Sequence, residues 1–146
     1  MADISEVDRR PPQAVEAEAA VLGAALLDPD AIPRIIQYLR PEHFYVRSHA
    51  KVYEAILHLF EQNRPCDVVT VTDELKRMKE FDEIGGQPLL ASLLDSVLTS
   101  AHCEEHAKLV LERAMQRQLI QTATEIVQLG YDESRRAEET IDEAEQ

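Results

Sequence analysis

Between Ala101 and Leu129 the chain carries neither proline nor glycine. An unbroken helix of that length spans on the order of 40 Å. Its apolar residues include Ala107, Val110, Leu111, Met115, Leu119, Ile120, Ile126 and Val127, which is more than the one narrow stripe of a surface helix. Gly130 fits the position just past a helix end, and Asp132 or Ser134 fits the cap of a return helix. The pattern predicts a long helical hairpin over residues 101–146. The return segment is thin in apolar residues, with Ala137, Ile141 and Ala144, and shows no stop signal at Gln146. The natural protein is therefore expected to continue.

The rest of the chain is divided by prolines and glycines into shorter pieces. Residues 1–12 are polar, end in Arg9-Arg10-Pro11-Pro12, and read as a disordered lead-in. A first helix is expected from Gln13 to Leu27, with Val15, Ala19, Leu22 and Leu26 on one face and Glu16 and Glu18 in its first turns. Asp30 fits the cap of a second helix, with Ile32, Ile35, Ile36 and Leu39 buried until Pro41 stops it. Phe44 and Tyr45 then plug the core. Ser48 caps a third helix to Gln62, facing inward through Val52, Ile56, Leu59 and Phe60, and Asn63-Arg64-Pro65 ends it. The β-branched run Val68–Thr72 favours a strand locally. No second strand candidate exists to pair with it, so Thr70 and Asp73 are read as a capping box opening a helix from Val71 to Lys79. Gly85-Gly86 is a turn, and Pro88 opens a fifth helix carrying Leu89, Leu90, Leu93, Leu94 and Val97. The expected fold is all-α: a head of about five short helices over 13–98, followed by the hairpin over 101–146.

Composition agrees. Hydrophobic residues make up 45% and aromatics only 5%, with no tryptophan. A core of Leu, Ile, Val and Ala suits helix-on-helix packing. A hairpin longer than its head can cover leaves apolar surface exposed, and such surface marks an interface. Leu111, Met115, Leu119 and Ile141 are its candidate contact residues. The alternative is a hairpin folded back along the head.

Several functions are excluded. Four glycines, Gly23, Gly85, Gly86 and Gly130, build neither a P-loop nor a dinucleotide fingerprint. Twenty-eight acidic against fifteen basic side chains leave a net charge of −13, which argues against nucleic acid as a direct ligand. Residues 101–146 hold five basic and eleven acidic side chains, so Arg113, Arg117, Arg135 and Arg136 fit intrachain ion pairs better than phosphates. An acidic module suits a basic protein partner. No apolar run is long enough to span a membrane and no signal peptide opens the chain. Two cysteines, Cys66 and Cys103, are too few for a disulfide framework, and the setting is read as reducing and cytoplasmic.

Catalytic patterns are also missing. No His lies three residues after a Glu, so the di-metal bundle motif is absent, as are His-Glu-x-x-His and Gly-x-Ser-x-Gly. His102 and His106 share a helix face and could hold a metal with a thiol such as Cys66; the plainer reading is polar surface at a helix start. The expectation is no catalytic, cofactor or metal site in this chain.

Arg10-Pro11-Pro12-Gln13-Ala14-Val15-Glu16-Ala17-Glu18 runs into Val21-Leu22-Gly23-Ala24. This resembles the opening of the bacterial replicative helicase DnaB family, Pro-x-x-x-Glu-Ala-Glu-x-x-Val-Leu-Gly. Further matches follow in the family's order: Phe44-Tyr45 with His49, Pro65 to Val71, Ile84-Gly85-Gly86, Arg117-Gln118-Leu119-Ile120 and Asp142-Glu143-Ala144-Glu145. Two departures are Cys66, where an aliphatic residue is usual, and Leu98-Thr99-Ser100-Ala101, which lacks a common proline. The resemblance implies the N-terminal domain of a ring-shaped, ATP-driven 5′→3′ DNA helicase acting at the replication fork. It implies hairpins that pair into dimers, three dimers forming a collar, and a collar that docks the helicase-binding domain of primase, with a helicase loader as a further partner. ATP and Mg²⁺ would belong to a motor domain outside this chain. Partner contacts carried over from the family fall on Glu16, Leu89, Ile120 and Ile126. Each has a plainer role available: a helix-dipole carboxylate for Glu16, ordinary core for the other three.

Overall fold

In the computed structural model, residues 10–132 and 136–145 are described. Among these residues the chain is all-helical. Seven α-helices follow in order: α1 (Val15–Leu27), α2 (Ile32–Ile36), α3 (Arg47–Glu61), α4 (Val68–Arg77), α5 (Gly86–Asp95), α6 (Cys103–Gly130) and α7 (Ala137–Glu145), with 3-10 turns at Pro29–Ala31 and Pro41–His43. The chain divides into two compact units. The head is Gln13–Ala114; the C-terminal unit holds residues 10–12 together with the described residues from Met115 onward.

The head is built around α1. Ala17, Ala20, Val21, Leu22, Gly23, Ala24, Ala25 and Leu26 are all buried. A helix apolar on every side is a core helix, not an amphipathic one, and its small residues let α3 and α5 pack close on it. The single face expected from sequence is therefore too narrow, and Val15 at the start is partly exposed. Gly23 marks the tightest approach. A Cβ there would run into the Leu93 carbonyl oxygen of α5, and beside it the Ser96 hydroxyl donates to the Ala19 carbonyl at 3.1 Å.

Helix starts differ from the sequence expectation in instructive ways. The second helical segment is capped by Asp28, not Asp30: the Asp30 amide donates to Asp28 Oδ1 at 3.1 Å, and Pro29 opens the 3-10 turn. The helix at Val68 begins three residues earlier than expected. Asp67 and Thr70 form the box, each amide donating to the other's side chain at 2.9 Å. Ser48 lies inside α3, whose start at Val46 has no side-chain cap from its own segment. Gly85, at φ +117°, supplies the left-handed residue ahead of α5. Gly130 closes α6 without entering the left-handed region. Ser134, the other expected cap, and Arg135 lie outside the described residues, as do residues 1–9 of the expected lead-in.

The core is Leu, Ile, Val and Ala, as the composition requires. Tyr53, not Phe60, is the aromatic that α3 buries: its hydroxyl donates to the Leu39 carbonyl at 2.9 Å and its ring lies 4.9 Å from that of Phe44. Burial pushes the Tyr53 hydroxyl pKa upward. Phe60 and Tyr45 are partly exposed, so neither plugs the core. The head also runs past residue 98, because Cys103, Ala107 and Val110 of α6 are buried in it. Arg34 Nε and Gln37 Nε2 each donate to Glu104 Oε1 at 3.3 Å, fixing the first turn of α6 to α2. Among the described residues no helix is long and apolar enough to cross a membrane.

Candidate functional site

α6 changes character at Ala114. Before it, every third or fourth residue is buried; after it, no described residue of the chain is buried. The apolar side chains of the later part fall on two faces. Met115, Leu119 and Ile126 recur at i, i+4 and i+11 and share one face. Ile120, Val127 and Tyr131 recur at i, i+7 and i+11 and share another. Leu119 is 70% exposed and Ile120 53%. The polar residues between them are tied locally: Gln118 reaches Thr122, Gln121 reaches Glu125, and the Thr124 hydroxyl donates to the Ile120 carbonyl. Arg117 donates to the Pro12 carbonyl at 2.8 Å, and Arg113 pairs with Glu112 at 3.7 Å.

α7 repeats the theme on a smaller scale. Ala137, Ile141 and Ala144 form a thin apolar stripe among Glu138, Glu139, Asp142, Glu143 and Glu145, and none of its residues is buried. The sequence-derived contact residues thus divide. Met115, Leu119, Ile120, Ile126 and Ile141 stand exposed in the C-terminal unit, and Glu16 stands exposed on the first turn of α1. Leu89 and Leu111 are half-buried and pack against the head core.

One residue that pattern reading did not single out is Glu18. Its carboxylate is buried in the head and accepts from the Tyr45 amide at 2.8 Å, the Val46 amide at 3.2 Å and His49 Nδ1 at 2.9 Å. A carboxylate only accepts, so Nδ1 carries the proton. The available signal was a charged residue set among Ala17, Ala19, Ala20 and Val21 on a helix with no polar face.

Metal chemistry gains little from the geometry. The His102 and His106 rings lie 6.5 Å apart on one face. Cys66 and Cys103 are free and buried; burial pushes the Cys66 thiol up to about 11 and raises that of Cys103 as well, which disfavours the thiolate a metal needs. Among the described residues no group of three or more His, Cys, Asp or Glu is placed to hold a metal ion.

The helical head, the long α6 and its uncovered apolar faces define an all-helical module with a surface suited to association. Residues 10–112 match the family model for the DnaB-like helicase N terminal domain, and the chain belongs to that family. It is 44% identical over 140 residues to the replicative DNA helicase DnaB of Rhodothermus marinus, covering 96% of this chain and 15% of that protein. The N-terminal domain of DnaB helicase from Mycobacterium tuberculosis superposes with a TM-score of 0.90 at 41% identity, covering 93% of this chain and 96% of that one. A DnaB-like replicative helicase whose structure was described with its interactions with primase gives a TM-score of 0.71 at 25% identity, over 90% of this chain and 31% of that chain. The chain spans well under a third of the R. marinus relative.

Proposed function

We propose that this domain of a replicative helicase is a collar module: it joins subunits through α6 and α7 and docks the helicase-binding domain of primase. The observation that carries the reading is the pair of apolar faces on α6 after Ala114, which a lone helix in water has no reason to keep. Met115 and Leu119 suit a second copy, whereas Ile120 and Ile126 suit a different partner. Three such dimers make the collar of a hexamer. Glu16, Leu89, Ile120 and Ile126 are the proposed primase contacts, and a helicase loader is a further partner. In the whole protein, ATP and Mg²⁺ act in a separate motor domain that unwinds duplex DNA 5′→3′. This acidic chain grips neither nucleotide nor DNA and performs no catalysis itself.

Magnitudes set the expected strength. Burying Met115 and Leu119 on both copies contributes roughly 6 kcal/mol at about 1.5 kcal/mol per side chain. Association costs about 4–15 kcal/mol in lost freedom. The dimer of this chain alone is therefore weak and concentration-dependent, and the ring of the whole helicase reinforces it. The test is molecular mass in solution across a concentration series, followed by titration with the primase domain, with the full-length helicase as control. Monomers at every concentration and no primase binding by either form would refute the proposal.

A further inference from the structure

Glu18 is 1% exposed, and its two oxygens accept three hydrogen bonds from one short stretch, Tyr45, Val46 and His49. The helices it joins lack caps of their own. α1 begins after Ala14 and α3 after Val46, neither with a side-chain cap bond. An amide shielded from water without an acceptor costs about as much as a lost hydrogen bond. Glu18 accepts the amides of Tyr45 and Val46, the two residues just ahead of α3, from 27 and 28 residues away along the chain. In doing so it ties the start of α3 to the first turn of α1.

Each joined segment presents an exposed side chain. Glu16 stands on the first turn of α1, two residues from the anchor. Tyr45, 40% exposed, stands on the residue whose amide Glu18 holds. A tyrosine at a surface supplies large contact area at low entropic cost. A contact residue that is already fixed loses less freedom on binding than one on a frayed turn.

We propose that Glu18 is a positioning residue for primase docking. Its buried carboxylate, with His49 as its side-chain partner, holds Glu16 and Tyr45 in the geometry that the primase domain meets. The proposal rests on the docking reading above. Glu18 reaches no partner itself, so its influence runs through the two exposed residues.

The experiment titrates the helicase-binding domain of primase against wild type, Glu16→Ala, Glu18→Gln and the double variant, with thermal unfolding recorded for each. The glutamine keeps the shape but turns one acceptor into a donor that faces other donors. Glu18→Gln is expected to weaken binding about tenfold while remaining folded. Glu16→Ala is expected to cost less affinity in the Glu18→Gln background than in wild type, because two residues acting as a unit are not additive. A Glu18 that only stabilises the head would lower the unfolding temperature, leave the affinity of the folded protein unchanged and leave the cost of Glu16→Ala the same in both backgrounds; that result overturns the proposal. Should Glu18→Gln fail to fold, His49→Gln, which keeps a donor toward Glu18, decides instead: weakened binding supports the proposal and unchanged binding overturns it. Wild type that does not bind the primase domain refutes the docking reading and this inference with it, whereas binding shared equally by all variants refutes this inference alone.

Discussion

The head and the C-terminal unit use similar side chains to opposite ends. In the head, Leu22, Ile56, Leu59 and Leu90 have no exposed surface. In the C-terminal unit, Met115, Leu119, Ile120 and Val127 are each more than half exposed. One helix, α6, contributes to both, so local helix propensity does not separate them. What separates them is whether neighbouring elements of the same chain reach the apolar face. Burial depends on cover, and α6 after Ala114 carries apolar faces that the described residues leave exposed.

That contrast can be broken most forcefully in the head. Leu22→Ala is expected to cost about 2–5 kcal/mol of stability, read from denaturant unfolding; a loss near zero would mean that the head does not depend on its core. Gly23→Ala should cost about 1–3 kcal/mol, because the added methyl pushes α1 off the Leu93 carbonyl. An unchanged unfolding midpoint would show that α1 and α5 are less closely apposed.

The buried thiols sharpen the same comparison. Cys66 and Cys103 should resist a thiol reagent while the head is folded and react fully once denaturant unfolds it. Cys66 also makes stability depend on alkaline pH. Unfolding returns its pKa from about 11 to 9.0, so between those values the folded state binds more protons. Stability is then fully present below pH 9.0 and falls as pH rises toward about 11. The fall in melting temperature between about pH 8 and about pH 10.5 should shrink in Cys66→Ala; an identical fall would remove Cys66 as the cause. The smallest effect is expected in the C-terminal unit. Leu119→Ala, measured at a concentration where the chain is monomeric, should change stability by no more than about 0.5 kcal/mol. A loss like that of Leu22→Ala would mean that Leu119 is buried within the single chain.

Much of the fold was legible in the sequence because its signals are local. Proline, glycine and spacing placed six of the seven α-helices, a capping box read three residues late placed α4, and the Pro-free run predicted α6 to within a few residues. The errors concentrate where a partner lies far along the chain. Ser48 looked like the cap of α3, but it lies inside the helix, and the amides just ahead of α3, at Tyr45 and Val46, are held by Glu18 from another helix. Phe60 and Tyr53 both fit an inward face, and only the neighbouring Phe44 and Leu39 decide for Tyr53. The capping box slipped because Asp67-x-x-Thr70 and Thr70-x-x-Asp73 offer the same spacing, and Thr70 belongs to both. Of the candidate contacts, Leu89 and Leu111 could not be told from Leu119 and Ile126 by type or spacing, since all are leucine or isoleucine on helices. The structure separates them by which unit covers them.

If the exposed faces of α6 join two copies of this chain, a charge placed on one face must abolish association. Sedimentation equilibrium of wild type and of Leu119→Glu across a wide concentration range tests it most directly. The expected result is a wild-type mass rising from one copy toward two, and a variant that stays at one copy with the head's unfolding temperature unchanged. A wild type that remains one copy throughout, or a variant that associates as wild type does, would contradict it.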